Sequence, residues 1–240
     1  MKIIPLKEGN YSVSKNKEFT PLEKATEVSD LKMAIQPFLI ITENDYILLD
    51  TGLGSAISDT PAILISLEKE NIQADQITKV LLSHLHKDHI DGIGHFENDE
   101  FVSNFPNAKI YLQQRELDYS LEQKDNPSYD FKILEKLALI PNLVVLTEDT
   151  GNISEEITYE VCGGHTPFHQ VFWIKENDKI TFYGADNLPQ RSYLKFHIAY
   201  KSDFDGKKAS NLRQKWEQEA KEHNWTVLFY HDMKTPLLQF

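Results

Sequence analysis

A chain of 240 residues with 40% hydrophobic content and no long Gly, Ser or Pro tract has the size and apolar content of one well-cored domain, read here as 1–240. Its formal net charge of −12 weighs against binding nucleic-acid phosphates, which needs a clustered basic surface. No run approaches the ~18 apolar residues of a membrane span, the first residues lack a signal-peptide apolar core, and the single cysteine, Cys162, excludes an intrachain disulfide, so the expected setting is cytoplasmic, with no membrane and no nucleic-acid partner.

In chain order, β-rich apolar segments at 34–41 and Tyr46–Leu49 read as strands. Asp59-Thr60-Pro61 has the form of a helix N-cap with proline in the first turn, and 62–70 follows with helical composition. The run 79–82 reads as a buried strand leading into the polar segment 84–89. Beyond it, 110–112 and Leu143–Leu146 look like strands, and 113–123 and 130–139 like helices. The segments Ile157–Val161, 171–174 and 180–183 are again strand-like. Ala209, Leu212, Trp216 and Ala220 recur at steps of three and four, so 206–223 is expected to be an amphipathic helix burying that stripe. A β-rich run at 226–230 precedes His231, and the alternation of strands with helices points to a layered α/β fold.

The most informative segment is His84-Leu85-His86-Lys87-Asp88-His89, with four metal-capable side chains in six positions at a strand end. Imidazole and carboxylate suit zinc and the neighbouring divalent metals, whereas a merely solvated loop would not concentrate so scarce a residue as His. Residues two apart leaving a strand project to the same side, which lets His84 and His86 converge on one ion. Asp88 and His89 follow where the chain turns and face a point where a second ion can sit. Four ligands cannot close two shells, so the rest of the chain must supply more. Three candidates stand just past strand-like runs: His165 in Gly163-Gly164-His165-Thr166-Pro167, Asp186 in Gly184-Ala185-Asp186, and His231 after Phe229-Tyr230.

The ordered pattern of HxHxDH followed by a lone His, a lone Asp and a lone His resembles the metallo-β-lactamase superfamily, and Ile47-Leu48-Leu49-Asp50-Thr51-Gly52 is similar to its early strand-and-Asp motif. That resemblance implies an αββα four-layer sandwich with two divalent metal ions, zinc first and iron or manganese as alternatives. The first ion would be held by His84, His86 and His165, and the second by Asp88, His89 and His231, with Asp186 bridging. Asp50 would sit behind the ligands and orient them. The implied chemistry is hydrolysis by a metal-bridging hydroxide, since a bound metal lowers the pKa of water to about 7. Asp88 would also take the proton.

Substrate recognition is expected from the stretch after Asp186. Tyr193 can donate to a developing oxyanion, as a Tyr does in lactonases of the superfamily, and Arg191 and Lys195 can meet a substrate carboxylate, with His197 nearby. His95, His169, His197 and His223 lie outside the ligand pattern, although His169 is close enough to support the site, and Phe168 departs from the family's usual Gly. Cys162 is expected to be a buried apolar residue. The segments Asp88-His89-Ile90-Asp91-Gly92-Ile93 and Phe229-Tyr230-His231-Asp232 look most like the lactonase and organophosphate-hydrolase branch. The expected function is therefore opening of a small-molecule ester or lactone, an acyl-homoserine lactone being the leading case. The alternatives are a glyoxalase II-like thioesterase and a noncatalytic metal-binding sensor. The aromatic and apolar content leaves room for a homodimer.

Overall fold

The computed structural model describes residues 1–26, 31–57, 60–196 and 199–240, which leaves the expected cap residue Asp59 and His197 outside the described residues. Its strands are β1 (Lys2–Pro5), β2 (Gly9–Val13), β3 (Phe19–Pro21), β4 (Lys32–Ile35), β5 (Phe38–Ile41), β6 (Tyr46–Leu49), the short pair β7 (Ala56–Ile57) and β8 (Thr60–Pro61), β9 (Lys79–Leu81), the hairpin β10 (Gly94–Glu97) and β11 (Glu100–Ser103), β12 (Lys109–Gln113), β13 (Leu143–Leu146), β14 (Thr150–Asn152), β15 (Ile157–Val161), β16 (Gln170–Glu176), β17 (Lys179–Tyr183), β18 (Thr226–Leu228) and β19 (Leu237–Gln239). The helices are α1 (Ala62–Lys69), α2 (Lys87–Ile90), α3 (Gln114–Leu121), α4 (Phe131–Leu137), α5 (Arg191–Phe196) and α6 (Gly206–Glu222).

Two six-stranded sheets dominate, in the orders β1-β5-β6-β9-β12-β13 and β14-β15-β16-β17-β18-β19. The period-2 alternation of side chains decides what each sheet faces. On β6 and β9, Leu48 and Val80 join the core under α1, α3 and α4, whereas Ile47, Leu49 and Leu81 point the other way and meet Tyr159, Phe172, Ile174 and Tyr183 of the second sheet. On that second sheet, Val171, Phe182 and Val227 turn outward to Trp216 and Ala220 of α6. The result is helices, sheet, sheet, helix: the αββα sandwich. Three apolar layers hold it together, and truncating a fully buried side chain such as Trp216 to alanine costs about 3–5 kcal/mol.

Local signals explain most of the elements. Asp205 caps α6 by accepting from the Lys208 amide, and Asp130 caps α4 by accepting from the Lys132 and Ile133 amides. Two expectations change. The segment 34–41 is two strands rather than one, because Pro37 offers no amide to a ladder and restricts Gln36, so the chain leaves a small three-stranded sheet (β3-β2-β4) and enters the main one at Phe38. Thr60-Pro61 pairs with Ala56-Ile57, and α1 starts without a side-chain cap on its amides. The hairpin β10–β11 turns through Asn98 and Asp99, both at positive φ (49° and 67°), the geometry that a two-residue hairpin loop demands.

Strands β6 and β9 run parallel, as do β17 and β18, so in each sheet two carboxyl ends open on one edge. The loops that follow them carry Asp50, His84–His89, Asp186 and His231.

Candidate metal centre

The ends of β9, β17 and β18 and the β15–β16 turn bring all seven sequence-predicted ligands together. His84, His86, His165 and Asp186 form one group and Asp88, His89 and His231 another, the candidate ligand atoms within each lying inside 4.8 Å of one another. Asp186 stands between them. Its Oδ2 lies 3.2 Å from His165 Nε2 and 4.0 Å from His84 Nε2, while its Oδ1 lies 2.9 Å from His231 Nε2 and 3.2 Å from His89 Nε2. Asp88 Oδ2 is 3.6 Å from His231 Nε2 and 3.9 Å from His89 Nε2.

The backbone aims these groups. Ala185 adopts φ 40°, outside the region favoured by residues with a Cβ, and so turns β17 abruptly and presents Asp186. Gly164 (φ 98°) brings the His165 segment against Asn187, where a Cβ would stand 2.4 Å from the Asn187 Oδ1 that accepts from the His165 amide. His231 is pinned at both ends of its residue: its amide donates to Pro189 O, and its carbonyl accepts from the Ala34 amide.

His84, His89, His165 and His231 are also held from behind, which fixes the ring nitrogen that faces the centre. Asp50, fully buried at φ 54°, accepts from the Ser83 amide (2.8 Å), the Ser83 hydroxyl (2.7 Å) and the Tyr183 hydroxyl (2.6 Å), and its Oδ2 lies 2.8 Å from His89 Nδ1. His165 Nδ1 meets Asp203 Oδ1 at 2.8 Å, and His231 Nδ1 donates to Ala34 O at 2.7 Å. Tyr230 stacks on His89 with ring centres 4.1 Å apart and donates to the Asp88 carbonyl. His169 is buried, stacks on His84 at 5.0 Å and accepts from Asn187 Nδ2, so it supports the site without facing it.

Electrostatics fit a bound cation. Burial, reinforced by neighbouring imidazoles, pulls His84 and His86 well below the usual histidine range, leaving both neutral with free lone pairs. Burial also acts against the charged form of His89, but Asp186, Asp88 and Asp50 outweigh it and push that imidazole well above its ordinary value. Asp186, despite burial, is held well below the carboxylate range by His231, His89 and His165. These buried carboxylates demand positive charge between them. His89 Nε2 and Asp186 Oδ1 are buried and 3.2 Å apart, yet neither makes a hydrogen bond of good geometry. Two such orphaned atoms, aimed at one point among neutral imidazoles, match the donor set of a divalent metal.

Around the centre, one cleft of about 60 Å³ is lined by His165, Asp186, His231, Tyr193, Tyr200 and Lys17 among others, and a smaller recess of about 30 Å³ lies on the His86 and Asp88 side. Tyr193 thus reaches the cleft, with the Arg213 guanidinium 4.8 Å from its ring and burial pushing its hydroxyl up to about 12. Arg191 and Lys195 do not. They line a separate groove with Lys234 and Phe240, the Arg191 amide donating to Asp232 and the Lys195 ammonium lying over Phe196, because the short helix α5 turns its basic face away from Tyr193. Phe168 packs under the Arg115 guanidinium. His95 binds Asn104 and Glu97, and His223 stacks on Trp225; both lie away from the centre. Cys162 is buried and its thiol is pushed up to about 12, chiefly by that burial.

Sequence reasoning missed Lys17, Asp203, Asn187 and the two tyrosines. The repeated Phe-Tyr pairs ending two strands, at 182–183 and 229–230, were a usable signal for Tyr183 and Tyr230. Asp203 lies in a loop that carries none.

Comparison with known proteins agrees. A probable metal-dependent hydrolase from Staphylococcus aureus superposes with a TM-score of 0.81 at 19% identity, over 99% of this chain and 91% of its own. The dizinc quorum-quenching lactonase AidC, in complex with a product, gives 0.75 at 24% identity over 98% and 88%. The hydrolase AbOPH of the beta lactamase superfamily gives 0.76 at 22% over 99% and 89%. No curated protein matches the chain. The sequence model of the metallo-beta-lactamase superfamily matches residues 34–231, a span that runs from the strand beside His231 to His231 itself and takes in all seven clustered side chains, and the chain belongs to that superfamily.

Proposed function

We propose that this protein is a metal-dependent hydrolase that opens ester or lactone bonds at a dinuclear centre held by His84, His86 and His165 on one side and by Asp88, His89 and His231 on the other, with Asp186 shared. The observation that carries the reading is the division of Asp186, whose two oxygens face different sets of imidazoles. Bound there, divalent ions supply hydroxide at neutral pH and polarise a carbonyl oxygen.

The chain's own residues do the rest. Asp88 presents Oδ2 beside both His89 and His231, where it orients attacking water and takes its proton. Tyr193 stays protonated throughout the physiological range and donates its O–H to the oxygen that gains charge. Leu31 and Met33 give the cleft an apolar wall for an acyl chain. The lactone class is supported by the lactonases among similar folds, one of which holds an N-acyl-homoserine product.

Metal analysis of purified protein, run beside kcat/KM on an acyl-homoserine lactone series, an aryl ester, S-lactoylglutathione and a cephalosporin, tests this. Two metals per chain and turnover of lactone or ester are expected. Turnover of the thioester alone would make it a thioesterase, and metal without any turnover would make it a sensor.

A further inference from the structure

We infer that Lys17 is the specificity-determining residue of the cleft and selects esters that carry a carboxylate close to the bond being cut. Lys17 stands in the tight loop between β2 and β3, where its amide donates to Ser14 O and its φ of 57° turns the side chain out of the hairpin. Both recesses beside the centre are lined by it: the cleft shared by His165, Asp186 and His231, and the smaller one beside His86 and Asp88. Apart from histidines, it is the sole basic side chain among the described residues lining the larger of these.

The ammonium is also free to take a ligand. Among the described residues no carboxylate pairs with it, since the nearby Glu18 carboxylate takes the Ser14 hydroxyl at 3.5 Å and Asp203 is engaged by His165 and Arg213. A half-buried ammonium at the mouth of a cleft, with no carboxylate on it among the described residues, is available to a ligand's negative charge. One lysine in a cleft that Tyr193 and Ser202 also line matches a single negative charge, a carboxylate, better than a doubly charged phosphate, which draws a fork of Arg or a nest of amides. The cation that sequence reasoning sought at Arg191 and Lys195 is thus supplied from the opposite end of the chain.

This inference rests on the hydrolase reading, and the test separates the two. Metal-loaded protein is assayed on 4-nitrophenyl hydrogen glutarate and on the uncharged 4-nitrophenyl butyrate, and glutarate binding is measured by calorimetry. The wild type should favour the charged ester by about tenfold in kcat/KM, the size of one charge-assisted contact. In Lys17→Met that ratio should fall about tenfold through KM, Lys17→Arg should restore most of it, and Lys15→Met, in the same loop but outside the cleft, should keep the wild-type ratio. An unchanged ratio in Lys17→Met with a native circular dichroism spectrum, or a wild-type preference for the uncharged ester, overturns the inference and leaves the hydrolase reading standing. If neither ester is cut, the hydrolase reading suffers instead. Glutarate then decides: binding about tenfold weaker in Lys17→Met upholds the role of Lys17, and equal binding ends it.

Discussion

His84, His89, His165 and His231 stand at strand ends or strand turns, and each is gripped from behind by a partner, whereas Lys17, Tyr193 and Tyr200 reach the same cleft from a hairpin loop, a six-residue helix and an irregular segment. The floor of the cleft is therefore rigid and buried, and its rim is open and lightly held. The difference teaches a division of labour: groups that must hold a metal within tenths of an ångström are set on sheets with buried partners, and groups that select a substrate ride on elements whose sequence can drift without unsettling the core.

The sharpest way to break this contrast is at the floor. Asp186→Ala removes the carboxylate shared by both imidazole sets and should lower kcat/KM by about a thousandfold or more, with metal content falling in parallel. Full metal occupancy in that variant would refute the sharing. At the rim, Tyr193→Phe removes one donor and should reduce kcat by about a hundredfold while metal content stays at the wild-type level. A loss of metal there would place Tyr193 in the floor instead.

A third test looks beneath the floor. Burial, reinforced by the charge of Asp88, pushes the Glu8 carboxyl up to about 8. The folded protein thus keeps that proton up to about pH 8, while the unfolded chain gives it up near 4.5, so the wild type loses stability as pH rises between these values. Between about pH 5.5 and 7 the share of this loss that belongs to Glu8 should be about 2 kcal/mol, read in denaturant titrations as the difference between wild type and Glu8→Gln, the remainder belonging to the buried Glu116 and Asp91. The smallest effect is expected at Asp50→Asn, which keeps the size of a side chain gripping Ser83, Tyr183 and His89 but gives up one acceptor. Metal affinity should fall about tenfold, measured by competition with a chelator.

The candidate ligand set was legible because metals select residue types and strand ends impose spacing: His84, His86, Asp88 and His89 declare themselves within six residues, and His165, Asp186 and His231 each follow an apolar run. The helix at Gly206–Glu222 was equally plain from its Ala209, Trp216 and Ala220 stripe. Pro37 as a strand break, and the β1–β3 segment that delivers Lys17, were not, since short N-terminal strands carry weak periodicity. Arg191 and Lys195 looked right by proximity in sequence, but helical geometry swings them to another face.

Local chemistry written along the chain, then, determined the candidate metal-binding side chains and the family of folds that carries them, because residue type and hydrophobic period are properties of neighbouring residues. Only the packed sheets decided which oxygen of Asp186 meets which imidazole, that Asp203 and Tyr183 stand behind the ligands, and that Lys17 shares a cleft with residues more than 140 positions away. Those pairings arise from side chains brought together across two sheets, and no periodicity along the chain encodes them.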